Sequence, residues 1–114
     1  MKKKLPLIIT LLVLFAFVGA YLFIPKTYPI YQQALTLTKK DLKAQELLGS
    51  NIKDELFAYS KISRGLARIE VGVSGSNGNG ELHVFGHKKD NLWVLDNVYL
   101  YHSTLPKRHV IYGQ

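Results

Sequence analysis

Residues 66–84, LARIEVGVSGSNGNGELHV, decide the fold. Ala67, Ile69, Val71 and Val73 alternate with Arg68, Glu70, Gly72 and Ser74, the period of two that a strand with one buried face requires. Ser76–Gly80 (SNGNG) supplies residues that tolerate positive φ. The alternation then resumes with Leu82 and Val84 on one face and His83, Phe85 and His87 on the other. The stretch predicts a β-hairpin. Its glycines superficially match a phosphate-binding loop, but the dinucleotide fingerprint leads from a strand into a helix, and here a strand follows.

Working outward, Lys89, Asp90 and Asn91 make a second turn into Leu92–Leu100. There Trp93 and Leu95 share one face while Val98 and Leu100 fall on the other, so a bulge near Asp96 and Asn97 is needed to return all four to the core. Ser103–Gln114 (STLPKRHVIYGQ) carries a proline and no clear pattern, and reads as either a loosely held edge strand or a disordered tail. In the other direction, a short alternation at Phe57–Ile62 predicts an earlier strand. Before it, Ile30–Leu48 is rich in helix formers. Ala34, Leu37, Ala44 and Leu48 recur at about the helical spacing, with Lys39, Lys40, Asp41 and Lys43 between them, and Gly49 stands where helices stop. The expected fold class is α+β, one helix packed on an antiparallel β-meander. About ninety residues bury one modest core, with neither a second domain nor a deep catalytic cleft.

The N-terminus has a different character. Leu5–Ile24 (LPLIITLLVLFAFVGAYLFI) contains no charged side chain. At about 1.5 Å per residue it makes a helix of about 30 Å, the hydrocarbon thickness of a bilayer, so an N-terminal transmembrane helix is expected. Lys2, Lys3 and Lys4 precede it and only Lys26 closely follows, which puts the N-terminus in the cytoplasm and the rest of the chain outside. Val18, Gly19 and Ala20 offer a small-x-small signal-cleavage site. Apolar residues continue through Tyr21, Leu22, Phe23 and Ile24, however, beyond the roughly 7–15 residues of a signal-peptide core, and this length favours an uncleaved anchor. Pro25 and Pro29 bracket an exit segment that does not simply prolong the helix, and Tyr21 and Tyr28 suit a membrane interface. The expected organisation is residues 1–25 as lysine cap and anchor, 26–102 as an extracytoplasmic α+β domain, and 103–114 as a tail.

The formal net charge of +7 is not a nucleic-acid signature. Three of the lysines precede the apolar stretch. From Lys26 onward twelve Lys and Arg stand against eight Asp and Glu, scattered rather than striped, so the domain is only mildly basic and nucleic acid is not an expected partner. A weak attraction to anionic lipid headgroups fits that balance. With no cysteine, disulfides and lipoprotein processing are excluded.

Catalytic and metal chemistry finds no pattern. His83 and His87 lie four apart on a strand, about 13 Å from each other, too far to share one ion, and are expected on the solvent face. His102 and His109 have no carboxylate or thiol at ligand spacing. Serines 50, 60, 63, 74, 76 and 103 sit in turns or on strand faces outside any nucleophile-elbow pattern, and Asp54 and Glu55 read as a solvated approach to a strand. Trp93 reads as core. The expectation is no enzyme, with no catalytic, cofactor-binding or metal residues and no identified small-molecule substrate.

The order of elements resembles the cytochrome oxidase complex assembly protein one family, which shares a domain superfamily with a subunit of the mitochondrial presequence translocase of the inner membrane. The residues that carry the resemblance are Leu47, Leu48 and Gly49 ending the helix; Gly65–Ile69 leading into Val73, Ser74 and Gly75; the Gly78–Gly80 turn into Glu81, Leu82, His83 and Val84; and Trp93, Val94 and Leu95. An N-terminal span before this domain also looks like the family's layout. The resemblance implies a membrane-tethered, non-enzymatic factor that assists maturation of a respiratory oxidase through protein contacts, with a membrane complex as partner. The MKKK start and the lack of an Arg-rich, Ser-rich transit segment point to a bacterial cytoplasmic membrane. The competing expectation is an extracytoplasmic binding or sensing module, with Trp93, Tyr99 and Tyr101 as an aromatic platform.

Overall fold

A computed structural model describes residues 4–23, 26 and 28–114, without the side chains of 4–6 and 18–23. Three helices, α1 (Lys4–Phe23), α2 (Pro29–Lys40) and α3 (Leu42–Leu48), precede five strands: β1 (Lys53–Ser63), β2 (Leu66–Ser74), β3 (Asn79–Lys89), β4 (Leu92–Tyr101) and β5 (His109–Tyr112). The strands form one antiparallel sheet in chain order, so the fold is an α+β meander. The segment 103–114 set apart as a tail thus contributes the edge strand β5, with Ile111 packed against the core.

The expected transmembrane segment forms the helix α1, and its described side chains, 7–17, are all exposed. Among the described residues, however, no helix is long and apolar enough to cross a membrane. Lys2, Lys3, Ile24, Pro25 and Thr27 lie outside the described residues, as do the side chains of the cleavage-site alternative at 18–20.

The hairpin reading holds at the level of single residues. Ala67, Ile69, Val71 and Val73 are buried along β2, and Leu82 and Val84 along β3. The turn glycines act differently from expectation, because no residue of Ser76–Gly80 adopts positive φ. The turn is instead pressed onto the end of α3. The Asn77 N–H donates to the Leu48 carbonyl at 2.8 Å and the Ser76 N–H to the Ser50 carbonyl at 3.0 Å, and a Cβ on Gly75 would sit 2.4 Å from the Leu48 carbonyl oxygen. Those bonds also satisfy a helix-terminal carbonyl that has no partner within α3. The bulge in β4 is where the alternation demanded it. Phe85 pairs with Asn97 and Gly86 with Leu95, leaving Asp96 unpaired, so Leu95, Val98 and Leu100 are all buried and Trp93 packs at the core's edge.

The single helix expected over Ile30–Leu48 is two. Asp41 leaves helical geometry at φ −72°, ψ 126°, and its carboxylate accepts the Ala44 N–H at 2.9 Å, capping α3. The break lets both helices lie on the sheet, burying Ile30, Tyr31, Ala34 and Leu35 from α2 and Ala44 and Leu48 from α3 against Ile69, Val73, Leu82, Val84, Val98 and Leu100. Gly49 ends α3 as expected, at φ 89° with its N–H on the Gln45 carbonyl. Strand β1 contains the expected Phe57–Ile62 stretch and extends it to eleven residues.

Candidate functional site

The helices cover one face of the sheet and leave the other open. On that outer face the register sets Tyr59, Glu70, His83 and Tyr99 side by side across β1 to β4, with Gly72, Glu81 and Tyr101 in the next row. His83 lies at the middle of the meander, where neighbours on both sides reach it. Its ring packs on that of Tyr101 with centroids 4.3 Å apart, its Nε2 donates to Glu81 Oε1 at 2.9 Å, and its Nδ1 faces Glu70 Oε1 at 3.7 Å. His83 is thus on the outer face, as the alternation predicts, but it is not solvated there. His83 is 9% exposed, since long side chains from adjacent strands close over it.

Phe85 and Tyr99 flank this centre with ring centroids 5.6 Å apart, Arg68 lies over Phe85, and Arg108 lies 4.1 Å from the Tyr99 ring centre. Arg68 also pairs with Glu70 at 2.6 Å. Glu55, Glu70, Glu81, Tyr101 and His102 border a shallow groove of about 650 Å³ on this face. The carboxylate of Glu55 lies directly over Gly72, where a Cβ would meet it at 2.3 Å.

A second polar cluster sits where α2 meets β1. Tyr31 is fully buried, and its hydroxyl donates to Asp54, which also pairs with Lys26 at 3.1 Å; the Lys26 ammonium donates in turn to the Glu55 carbonyl. Burial pushes the Tyr31 phenol far above its ordinary range, and the hydrogen bond to Asp54 and the charge of that carboxylate act in the same direction. Burial also pushes the Asp54 carboxyl up, but the Tyr31 and Lys26 hydrogen bonds and the Lys26 charge outweigh it and hold the group below its usual value. Asp54 is thus a cross-link between helix and strand rather than part of a solvated approach.

The other histidines also have partners that sequence spacing did not show. His87 Nδ1 meets both oxygens of the bulge residue Asp96 at 2.8 and 2.9 Å, and His109 Nε2 meets the capping Asp41 at 2.9 Å. His102 Nδ1 contacts the Thr104 hydroxyl at 2.7 Å. The Ser50 and Ser76 hydroxyls lie 3.2 Å apart and tie the hairpin turn to the segment after α3. Trp93, Tyr99 and Tyr101 do not form one platform. Trp93 lies on the covered face against Tyr28, and the bulge sets the two tyrosines on the open one. The chemistry available on the open face is that of a carboxylate–imidazole–carboxylate cluster framed by aromatic rings. Glu70, Glu81 and His83 each offer a ligand atom within 4.8 Å of the others.

The family model of cytochrome oxidase complex assembly protein 1 matches residues 4–109. Neither a curated protein nor a solved structure matches the chain significantly. The match takes in nearly the whole sequence, and the chain belongs to this family.

Proposed function

We propose that this member of the cytochrome oxidase complex assembly protein 1 family is a non-enzymatic factor, anchored in a bacterial cytoplasmic membrane through its N-terminal apolar run, that assists assembly of a respiratory oxidase through protein contacts. The family match supports the oxidase role. The observation that carries the contact mechanism is the outer face of the sheet, where Tyr59 and Tyr101 are 54% and 39% exposed. Aromatic side chains of this kind are enriched among the residues that dominate binding energy at interfaces. The uncharged run Leu5–Ile24 supports the anchor, and the lysines at positions 2–4 support an N-terminus in the cytoplasm with the sheet outside. Tethering raises the effective concentration of the domain near other membrane proteins, so a small interface suffices.

Site-specific photocrosslinking in membranes tests the contact surface. A photoreactive residue at Tyr59 is expected to capture an oxidase subunit, while the same residue at Gln33, on the helical side, captures none. Equal capture from both positions, or capture of oxidase from neither, contradicts the proposal.

A further inference from the structure

We infer that the end of the sheet made by the β1–β2 and β3–β4 turns is a docking surface for anionic phospholipid headgroups, which holds the domain against the membrane beside its own anchor. The inference rests on the anchored reading given above. Both connections are tight two-residue turns, with positive φ at Arg64, Gly65, Asp90 and Asn91, and they lie at the same end of the meander. The Lys88 N–H donates to the Gly65 carbonyl at 2.7 Å and ties one turn to the other. Leu66, His87 and Val94 form one row across β2, β3 and β4, and Lys89 and Leu92 form the last row before the turn. Leu66 and Leu92 are 61% and 70% exposed. One exposed leucine is ordinary, but two held at the tips of adjoining hairpins present an apolar surface to whatever lies beyond them.

The charges at this end suit the same surface. The twelve Lys and Arg from Lys26 onward are scattered in sequence, yet the fold gathers Lys61, Arg64, Lys88 and Lys89 here, all of them exposed. None of these four forms an ion pair with another described residue. Against them stand Asp90 in the turn and Asp96, which is met by His87. Exposed aliphatic tips ringed by long cationic side chains match an anionic bilayer surface: the leucines enter the headgroup layer while the ammonium and guanidinium groups reach phosphates.

Chain length favours the lipid over an acidic protein as the occupant. Tyr28 lies four residues after Ile24, the end of the uncharged run, so it stands no more than about 14 Å from that end even with the chain fully extended. The Tyr28 ring meets Trp93 edge-on, with centroids 5.8 Å apart, and Trp93 adjoins Leu92. The turns are therefore tethered within reach of the headgroups. The row of Tyr59, Glu70, His83 and Tyr99 stands about 13 Å further along the strands from the Leu66 row, so docking at the tip leaves it free. Docking also fixes the height and tilt of that row, which suits a partner that is itself in the membrane.

The test uses the full-length protein reconstituted with vesicles of phosphatidylcholine, alone or with about one quarter phosphatidylglycerol. The chain has no cysteine, so Leu92→Cys and Asn79→Cys, the latter at the opposite end of the sheet, each take a single environment-sensitive fluorophore. With phosphatidylglycerol present, quenching of the Leu92 label by aqueous acrylamide should fall roughly threefold or more while the Asn79 label stays accessible. Raising NaCl to about 1 M, where the Debye length is about 3 Å, should reverse the change. Lys88→Gln with Lys89→Gln should lower the docked-to-free ratio roughly fivefold for each charge removed, whereas Lys39→Gln with Lys40→Gln, on α2, leaves it unchanged. Flotation of the same samples separates the docking from the anchor. Protein that floats with both vesicles while its Leu92 label stays accessible in both overturns the docking and keeps the anchor. Protein that floats only with phosphatidylglycerol, its Leu92 label protected, keeps the docking and overturns the anchor, and protein that floats with neither overturns both. Protection that survives the Lys88 and Lys89 changes, that is lost with the Lys39 and Lys40 changes, or that arises only in native membranes where another protein supplies it, also overturns the docking.

Discussion

Replacing Gly75 by alanine probes the joint between the hairpin and the helices. The added Cβ would sit 2.4 Å from the Leu48 carbonyl oxygen, 3.0 Å from the Leu48 carbonyl carbon and 3.0 Å from the Ser50 carbonyl oxygen. All three are backbone atoms, so no flexible side chain yields, and the turn must withdraw from α3 by about an ångström to reach ordinary contact. Withdrawal lengthens the Asn77–Leu48 and Ser76–Ser50 hydrogen bonds, each contributing about 1 kcal/mol. Alanine restricts the unfolded chain more than glycine, which returns roughly 0.4–1 kcal/mol. The net expectation is a loss of about 1–2 kcal/mol, or roughly 5–15 °C in Tm for a domain of this size. Thermal unfolding followed through the single tryptophan, Trp93, reads this directly. Gly65→Ala is the comparison, because Gly65 has φ 75° but its nearest atom to a new Cβ is Lys88 Cβ at 3.8 Å, leaving only backbone strain of about 1 kcal/mol. A Gly75→Ala protein as stable as wild type, or distinctly more stable than Gly65→Ala, refutes the close-approach explanation.

Asp41→Ala removes the α3 cap and the partner of His109 together, and should lower stability by about 1–2 kcal/mol with faster amide exchange in β5; unchanged exchange there would show that His109 does not hold the edge strand. Asp54→Asn should be less stable than wild type at pH 6 by about 1–3 kcal/mol, because it weakens the ties to Tyr31 and Lys26. The folded Asp54 carboxyl titrates below its ordinary value of 3.8, so its contribution is fully present above that pH and is lost as pH falls through the folded value. Paired melting curves should therefore converge as pH falls below 3.8, and a gap that stays constant or widens on acidification contradicts the assignment.

Much of the sheet was legible because burial on one face imposes a period of two. That period located β2 and β3 and, through its failure between Leu95 and Val98, the bulge at Asp96. The helix break at Asp41 was hidden because Lys39, Lys40, Leu42 and Lys43 keep both helical propensity and apolar spacing across it; the available signal was an aspartate able to cap the next turn. The Gly75–Gly80 turn was found by its residues but explained wrongly, since contact with α3 depends on tertiary placement rather than local φ. The histidine environments were out of reach for the same reason. Spacing along one strand relates His83 to His87 and to its partner Glu81, whereas Glu70 and Tyr101, which complete its surroundings, come from neighbouring strands whose register a sequence does not print.

Contact-driven oxidase assembly is tested most directly by measuring assembled oxidase in membranes of cells lacking this protein, complemented with wild type or with Tyr59→Asp. Without the protein, assembled oxidase should fall while its subunits are still synthesised; wild type should restore it, and the folded Tyr59→Asp variant should not. Normal oxidase assembly in the deletion strain contradicts the role, and full rescue by Tyr59→Asp contradicts the outer sheet face as the surface that performs it.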